Sequence, residues 1–198
     1  MTSLSLPVKT DRLVLRPFER SDIDCLLAYH TLPSMQRYVF SRTRDADEVE
    51  GALKIMRGHV SLQRPGDTLT LAMVRKGDKA LIGHVSLQWS DATAGQAEIR
   101  FCINPVYSGQ GFCREAISAM LDIAFDHFRI HRVFIRSDGR NHNSIKLMQQ
   151  LGMRLEAHYR EHALFQGEWD EELHFAILDR EWLRSTKVRE LPLRQRVA

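Results

Sequence analysis

Asn104 to Ala116, NPVYSGQGFCREA, places two glycines one residue apart between a strand pattern and a helix pattern, and this junction constrains the fold most. Upstream, Thr68–Arg75, Ala80–Trp89 and Gln96–Ile103 are strand-like and separated by short turns, predicting three consecutive antiparallel strands. In the third, Ala97, Ile99, Phe101 and Ile103 fall on one face and Glu98, Arg100 and Cys102 on the other. Downstream, Ala116, Ile117, Met120, Leu121, Ala124, Phe125 and Phe128 recur at helical spacing and predict an amphipathic helix. Arg132–Ser137 then reads as a strand, and strand, helix, strand in succession predicts a parallel crossover.

The flanking segments complete the order. Arg12–Phe18 predicts a first strand, with Leu13 and Leu15 on one face, closed by Pro17. The next segment predicts a helix with Ser21 as N-cap and Ile23, Leu26 and Leu27 on one face. A second helix is expected over Asp45–Gln63, ended by Pro65 and Gly66. Asn143–Gln150 predicts a short helix stopped by Gly152, and strands around Arg154–Phe165 and Glu171–Leu178 turn at Gln166 and Gly167. The order is βααβββαβαββ, an α+β arrangement with a mixed, largely antiparallel sheet of about seven strands flanked by about four helices.

Composition bounds the function classes. With 43% hydrophobic and 27% charged residues over 198 positions, the chain is expected to form one domain over residues 8–183, followed by a basic tail over 184–198. Charges interrupt every apolar run short of the roughly 18 residues a membrane span needs, and the start lacks a secretory signal pattern. Cys25, Cys102 and Cys113 are far apart and form no CxxC pair, so neither a disulfide framework nor a zinc ribbon is expected; a reducing cytoplasm fits. The net charge of +3 gives no basis for a nucleic-acid partner.

Glycines at a strand-to-helix junction permit a tight turn and a close ligand approach, while the first helix amides point outward without intrahelical partners. The macrodipole adds about half a positive charge there, so the alternatives are a phosphate or pyrophosphate site and a plain helix-starting turn. Neither glycine is followed by the Lys-Ser or Lys-Thr of a P-loop. The dinucleotide fingerprint fails at Arg114, where a third glycine belongs.

The loop Ser108-Gly109-Gln110-Gly111-Phe112-Cys113 resembles the acetyl-coenzyme A pyrophosphate loop of the GNAT acetyltransferase superfamily, written [QR]xxGx[GA]. TDRLVLRPFERSD from Thr10, AEIRFCINPVYSGQGFCREA from Ala97, NHNSIKLMQQLGM from Asn141 and QGEWDEELHFAILDREW from Gln166 resemble successive signatures of its RimJ/RimL-like branch. The resemblance implies the GNAT fold and transfer of an acetyl group from acetyl-CoA to a primary amine, a protein N-terminus or small amine, by direct attack in a ternary complex without a metal. It also implies a homodimer. Ser108 departs from the usual Arg, Gln or Trp, Cys113 from Gly or Ala, and Arg100 from a glycine.

By the same resemblance, residues 108–113 bind the pyrophosphate and the backbone of Phe101, Cys102 and Ile103 pairs with the pantetheine arm. Asn141 bonds that arm, and Ser144 stands near the sulfur as a candidate proton donor. Glu98 resembles the acid that accepts the amine proton, with a carboxylate simply paired to Arg100 as the alternative. Glu161 and Glu115 are weaker candidates; a further acid found in RimL-like relatives falls on Ala163, and the usual tyrosine acid falls on Met148. Met148 and the altered loop define the competing class, a catalytically silent acyl-CoA-binding regulatory or scaffolding module. His158 and His162 lie in a strand pattern without a third ligand at metal spacing, and His127 and His131 straddle a helix end. Trp169 and Trp182 read as core or interface anchors.

Overall fold

The structure is a computed structural model describing residues 4–32, 45–165 and 167–183. The basic tail and Gln166 of the expected turn lie outside them. Strands β1 (Val8–Lys9), β2 (Leu13–Arg16), β3 (Thr68–Arg75), β4 (Leu81–Asp91), β5 (Gln96–Ile103), β6 (Arg132–Asp138), β7 (Arg154–Phe165) and β8 (Glu168–Leu178) form one sheet in the order β1-β2-β3-β4-β5-β6-β8-β7. The sheet therefore has eight strands. The additional one is β1, whose Val8 and Lys9 pair with Leu15 and Val14, a ladder too short to leave a period in the sequence. Within the described sheet only β5 and β6 run parallel, as the crossover predicts.

Both faces are covered. On β3, Leu69, Leu71 and Met73 enter one core while Ala72 and Val74 enter the other, as a period of two requires. Helices α1 (Ile23–His30) and α2 (Ala46–Gly58) cover the second face through Leu26, Tyr29, Val49 and Leu53. Helices α3 (Phe112–Asp122) and α4 (His142–Gln150) cover the first through Ala116, Ile117, Met120 and Met148. Helix α3 runs on as a π-helical turn, Ile123–His127, and Trp182 closes that end, donating from Nε1 to Asp122 at 2.6 Å. Trp169, by contrast, is exposed and belongs to neither core.

Two helix boundaries differ from expectation. Ser21 does not cap α1: a 3₁₀ turn, Arg20–Asp22, precedes it, and the buried Asp22 carboxylate accepts from Glu19 N while pairing with Arg16 at 2.8 Å. Helix α2 ends at Gly58 rather than Gln63, because Val60 pairs with Leu69 and the His59 carbonyl accepts from Thr70 N. At its other end, Asp45 and Glu48 form the capping box that begins α2.

Candidate functional site

The site begins where two neighbouring strands part. Strands β5 and β6 pair only through Gln96–Arg132, Ala97–Val133 and Glu98–Phe134, yet β5 continues to Ile103 and β6 to Asp138. Beyond Glu98, β5 keeps its ladder with β4 on one side and opens on the other. A cavity of about 600 Å³ occupies this opening, walled by β5, the glycine loop with the start of α3, and the start of α4.

The loop is built as its glycines allow. Gly109 and Gly111 have φ of 74° and 83°, and Gly111 is the residue from which α3 springs. A side chain in this left-handed region costs about 1–2 kcal/mol, so glycine holds the turn that starts α3 at the cavity wall. Behind the loop, Glu115 accepts from Thr10 Oγ1 at 2.6 Å, Arg12 N at 2.7 Å and Arg12 Nε at 2.8 Å. Burial pushes its carboxyl up, but these hydrogen bonds and the guanidinium outweigh that and hold it below the ordinary value. Arg12 also lies over the Phe112 ring at 4.5 Å and donates to the Gln110 carbonyl at 3.0 Å. Glu115 and Arg12 therefore fasten the glycine loop to the corner between β1 and β2.

Most of the expected site residues line this one cavity: Glu98, Phe101, Cys102, Ile103, Ser108, Gly109, Gly111, Phe112, Cys113, Asn141 and Ser144. Gln110 does not; its side-chain amide donates to Val106 O at 3.2 Å. Asn141 caps α4 by accepting from Ser144 N at 3.1 Å, which fixes Ser144 at the wall. Met148 is fully buried in the core and does not line the cavity. Glu161 stands on exposed, irregular β7 backbone at φ 51°, away from the cavity.

Glu98 is 4% exposed and clamped from two sides. Arg100 Nη2 lies 2.5 Å from Oε2, and Arg136 Nε lies 2.8 Å from Oε1. Burial raises its pKa, yet hydrogen bonds and charge from the two arginines reverse the balance and leave it below the ordinary value. Arg136 is the participant that sequence reasoning missed, and nothing local to Glu98 announces it. Cys113 is affected differently: burial alone pushes its thiol up to about 12, so it stays protonated at neutral pH. Arg114 and Lys146, also missed, line the cavity and make no salt bridge among the described residues.

Of the histidine pairs of the strand and helix end, three members meet carboxylates, while His127 packs edge-on against Phe128 at 4.7 Å. His158 lies 3.2 Å from Glu171, His162 3.1 Å from the buried Asp170, and His131 3.4 Å from Asp179. Ala163 N donates to the same Asp170 at 2.9 Å.

Comparison with known proteins identifies the family and the fold. The acetyltransferase (GNAT) domain family model matches residues 12–154. The chain is 25% identical over 175 residues to YnaD of Bacillus subtilis, described as an uncharacterized N-acetyltransferase, covering 88% of this chain and 98% of that protein. An acetyltransferase structure from Bacillus anthracis superposes with a TM-score of 0.79 at 24% identity, over 88% of this chain and 99% of the other. Spermidine N-acetyltransferase from Vibrio cholerae, in complex with CoA and spermine, has a TM-score of 0.74 at 24% identity, over 87% and 98%.

Proposed function

The chain belongs to the GNAT acetyltransferase family, and from that premise we propose that it transfers the acetyl group of acetyl-CoA to a primary amine within a ternary complex. The parting of β5 from β6 beside the glycine-started helix carries this reading. The opening offers strand backbone along one wall and helix amides at one end, matching an extended amide-bearing arm that ends in a diphosphate. Asn141 bonds the arm through its side-chain amide, and Arg114 and Lys146 supply charge for the phosphates.

In the reaction the neutral amine attacks the thioester carbonyl carbon, and the β5 amides near Phe101 to Ile103 polarise its oxygen. The carbon–sulfur bond then breaks and the departing thiolate takes a proton through Ser144 or a water relayed by it, giving an amide and free coenzyme A. The amine proton leaves through water toward Glu98. Held low by two arginines, Glu98 is a weak base, so the amine must arrive largely neutral. Deprotonating a lysine-type amine at neutral pH costs about 4 kcal/mol, against about 1 kcal/mol for an α-amino group. A peptide N-terminus is therefore the favoured acceptor, in keeping with the RimJ/RimL-like sequence blocks; the spermidine relative puts polyamines in the comparison set. Attack by the Cys113 thiol is disfavoured by its protonation, which supports direct transfer.

A homodimer is proposed on the same footing, with exposed Leu164 and Trp169 of the β7–β8 hairpin as the meeting face. Thiol release from acetyl-CoA, measured against peptides with free N-termini, lysine side chains and polyamines, tests the proposed reaction. Release with a peptide N-terminus is the expected result. Coenzyme binding without release above background for any amine would instead mark a silent binding module.

A further inference from the structure

On the face of the sheet covered by α1 and α2, three side chains that are distant in sequence meet. His84 of β4 stands directly opposite Cys102 of β5, a pairing that brings the two Cβ atoms within about 4.5–5.5 Å. His30 closes α1 above them, its ring 5.8 Å from that of His84 at an interplanar angle of 21°. One ligand atom from each of His30, His84 and Cys102 lies within 4.8 Å of the other two. All three side chains are partly buried, so the cluster is sheltered yet reachable.

The surroundings hold the imidazoles in place. Tyr29, fully buried, stacks on His30 at 4.8 Å and places its hydroxyl 3.4 Å from His84 Nδ1. Phe18 packs edge-on against the His84 ring at 5.9 Å. Where His84 Nδ1–H donates to this hydroxyl oxygen, Nε2 is the nitrogen that coordinates, an arrangement common behind metal-bound histidine.

We infer that His30, His84 and Cys102 form a binding site for a zinc-class divalent cation. Two imidazoles and a thiolate are a borderline-soft donor set that suits zinc and not magnesium or calcium. Tetrahedral zinc with ordinary bond lengths needs ligand atoms about 3.3–3.6 Å apart, which this cluster reaches by side-chain movements of about 1 Å. Three protein ligands leave the fourth position to water or another ligand. Binding releases the Cys102 thiol proton to solvent and forms the metal–sulfur bond, with no oxidation or reduction. The ion ties the end of α1 to β4 and β5, and β5 walls the coenzyme cavity. The site stands on its own residues, whether or not the cavity binds coenzyme A.

The sequence reading expects no metal, and spacing alone gives no reason to join these three residues. The test uses the untagged full chain, stripped with chelator and titrated with zinc alone. One equivalent is expected to bind, raise the melting temperature and, with cobalt substituted, give a thiolate-to-cobalt charge-transfer band. Cys102→Ser should abolish that band, and His84→Gln and His30→Gln should each weaken zinc binding tenfold or more, whereas His158→Gln should bind like the parent. Circular dichroism and a cooperative melt without zinc establish that each variant folds. No uptake by the parent chain, or equal uptake by folded Cys102→Ser and His84→Gln, would overturn the assignment and leave the cluster as packing.

Discussion

A methyl group on Gly83 would lie 2.2 Å from the Cys102 carbonyl oxygen and 2.9 Å from Ile103 Cα. Both contacts are backbone, so relief must come from moving β5 at the point where it walls the cavity. Gly83→Ala is expected to cost about 1–3 kcal/mol, read from denaturant midpoints, and to loosen the coenzyme site. Glu98 supports a prediction in pH. Its folded-state pKa lies below the ordinary 4.5, so its contribution is fully present above that value and fades as pH falls through the folded-state value. Glu98→Gln should therefore flatten the loss of melting temperature on acidification below pH 4.5; an unchanged slope would show that the arginine clamp contributes nothing. The Arg100 side of that clamp was legible as the alternative reading of Glu98, but the Arg136 side was not, because Arg136 lies 38 residues away and only the parallel crossover brings it to Glu98. The bracket between Arg12 and Glu115 spans 103 residues and was hidden for the same reason. The glycine loop was legible because its conformation is set by its own residues.

Among the elements, β5 has the most distinctive position. Its alternation gave its limits correctly, Gln96–Ile103, since each face meets a different environment. Helix α2 was read too long because a bridge between Val60 and Leu69 competes with helix in its last turn, and β1 was missed because two residues carry no period. The parting of β5 from β6 makes an element-scale prediction. Backbone amides of residues 100–103 that face the opening should exchange readily with solvent in the free protein and become protected when coenzyme A is added, as followed by hydrogen exchange. Equal exchange with and without coenzyme A would mean that the arm does not run along β5.

For the molecule as a whole, the two helical layers and the shared sheet bring four cations, Arg100, Arg114, Arg136 and Lys146, and one carboxylate, Glu98, to the cavity wall. Their local excess equals the net +3 of the entire chain, so a formally modest charge is concentrated at one opening. Among the described residues no helix is long and apolar enough to cross a membrane. Calorimetric titration of the folded protein with coenzyme A tests the central claim most directly. The expected result is one molecule bound per chain, with affinity falling as salt rises and falling further in Gly111→Val, where a β-branched residue must take φ of 83°. A cooperatively folded protein that gives no binding heat at several temperatures and leaves its melting temperature unmoved by coenzyme A would contradict the account.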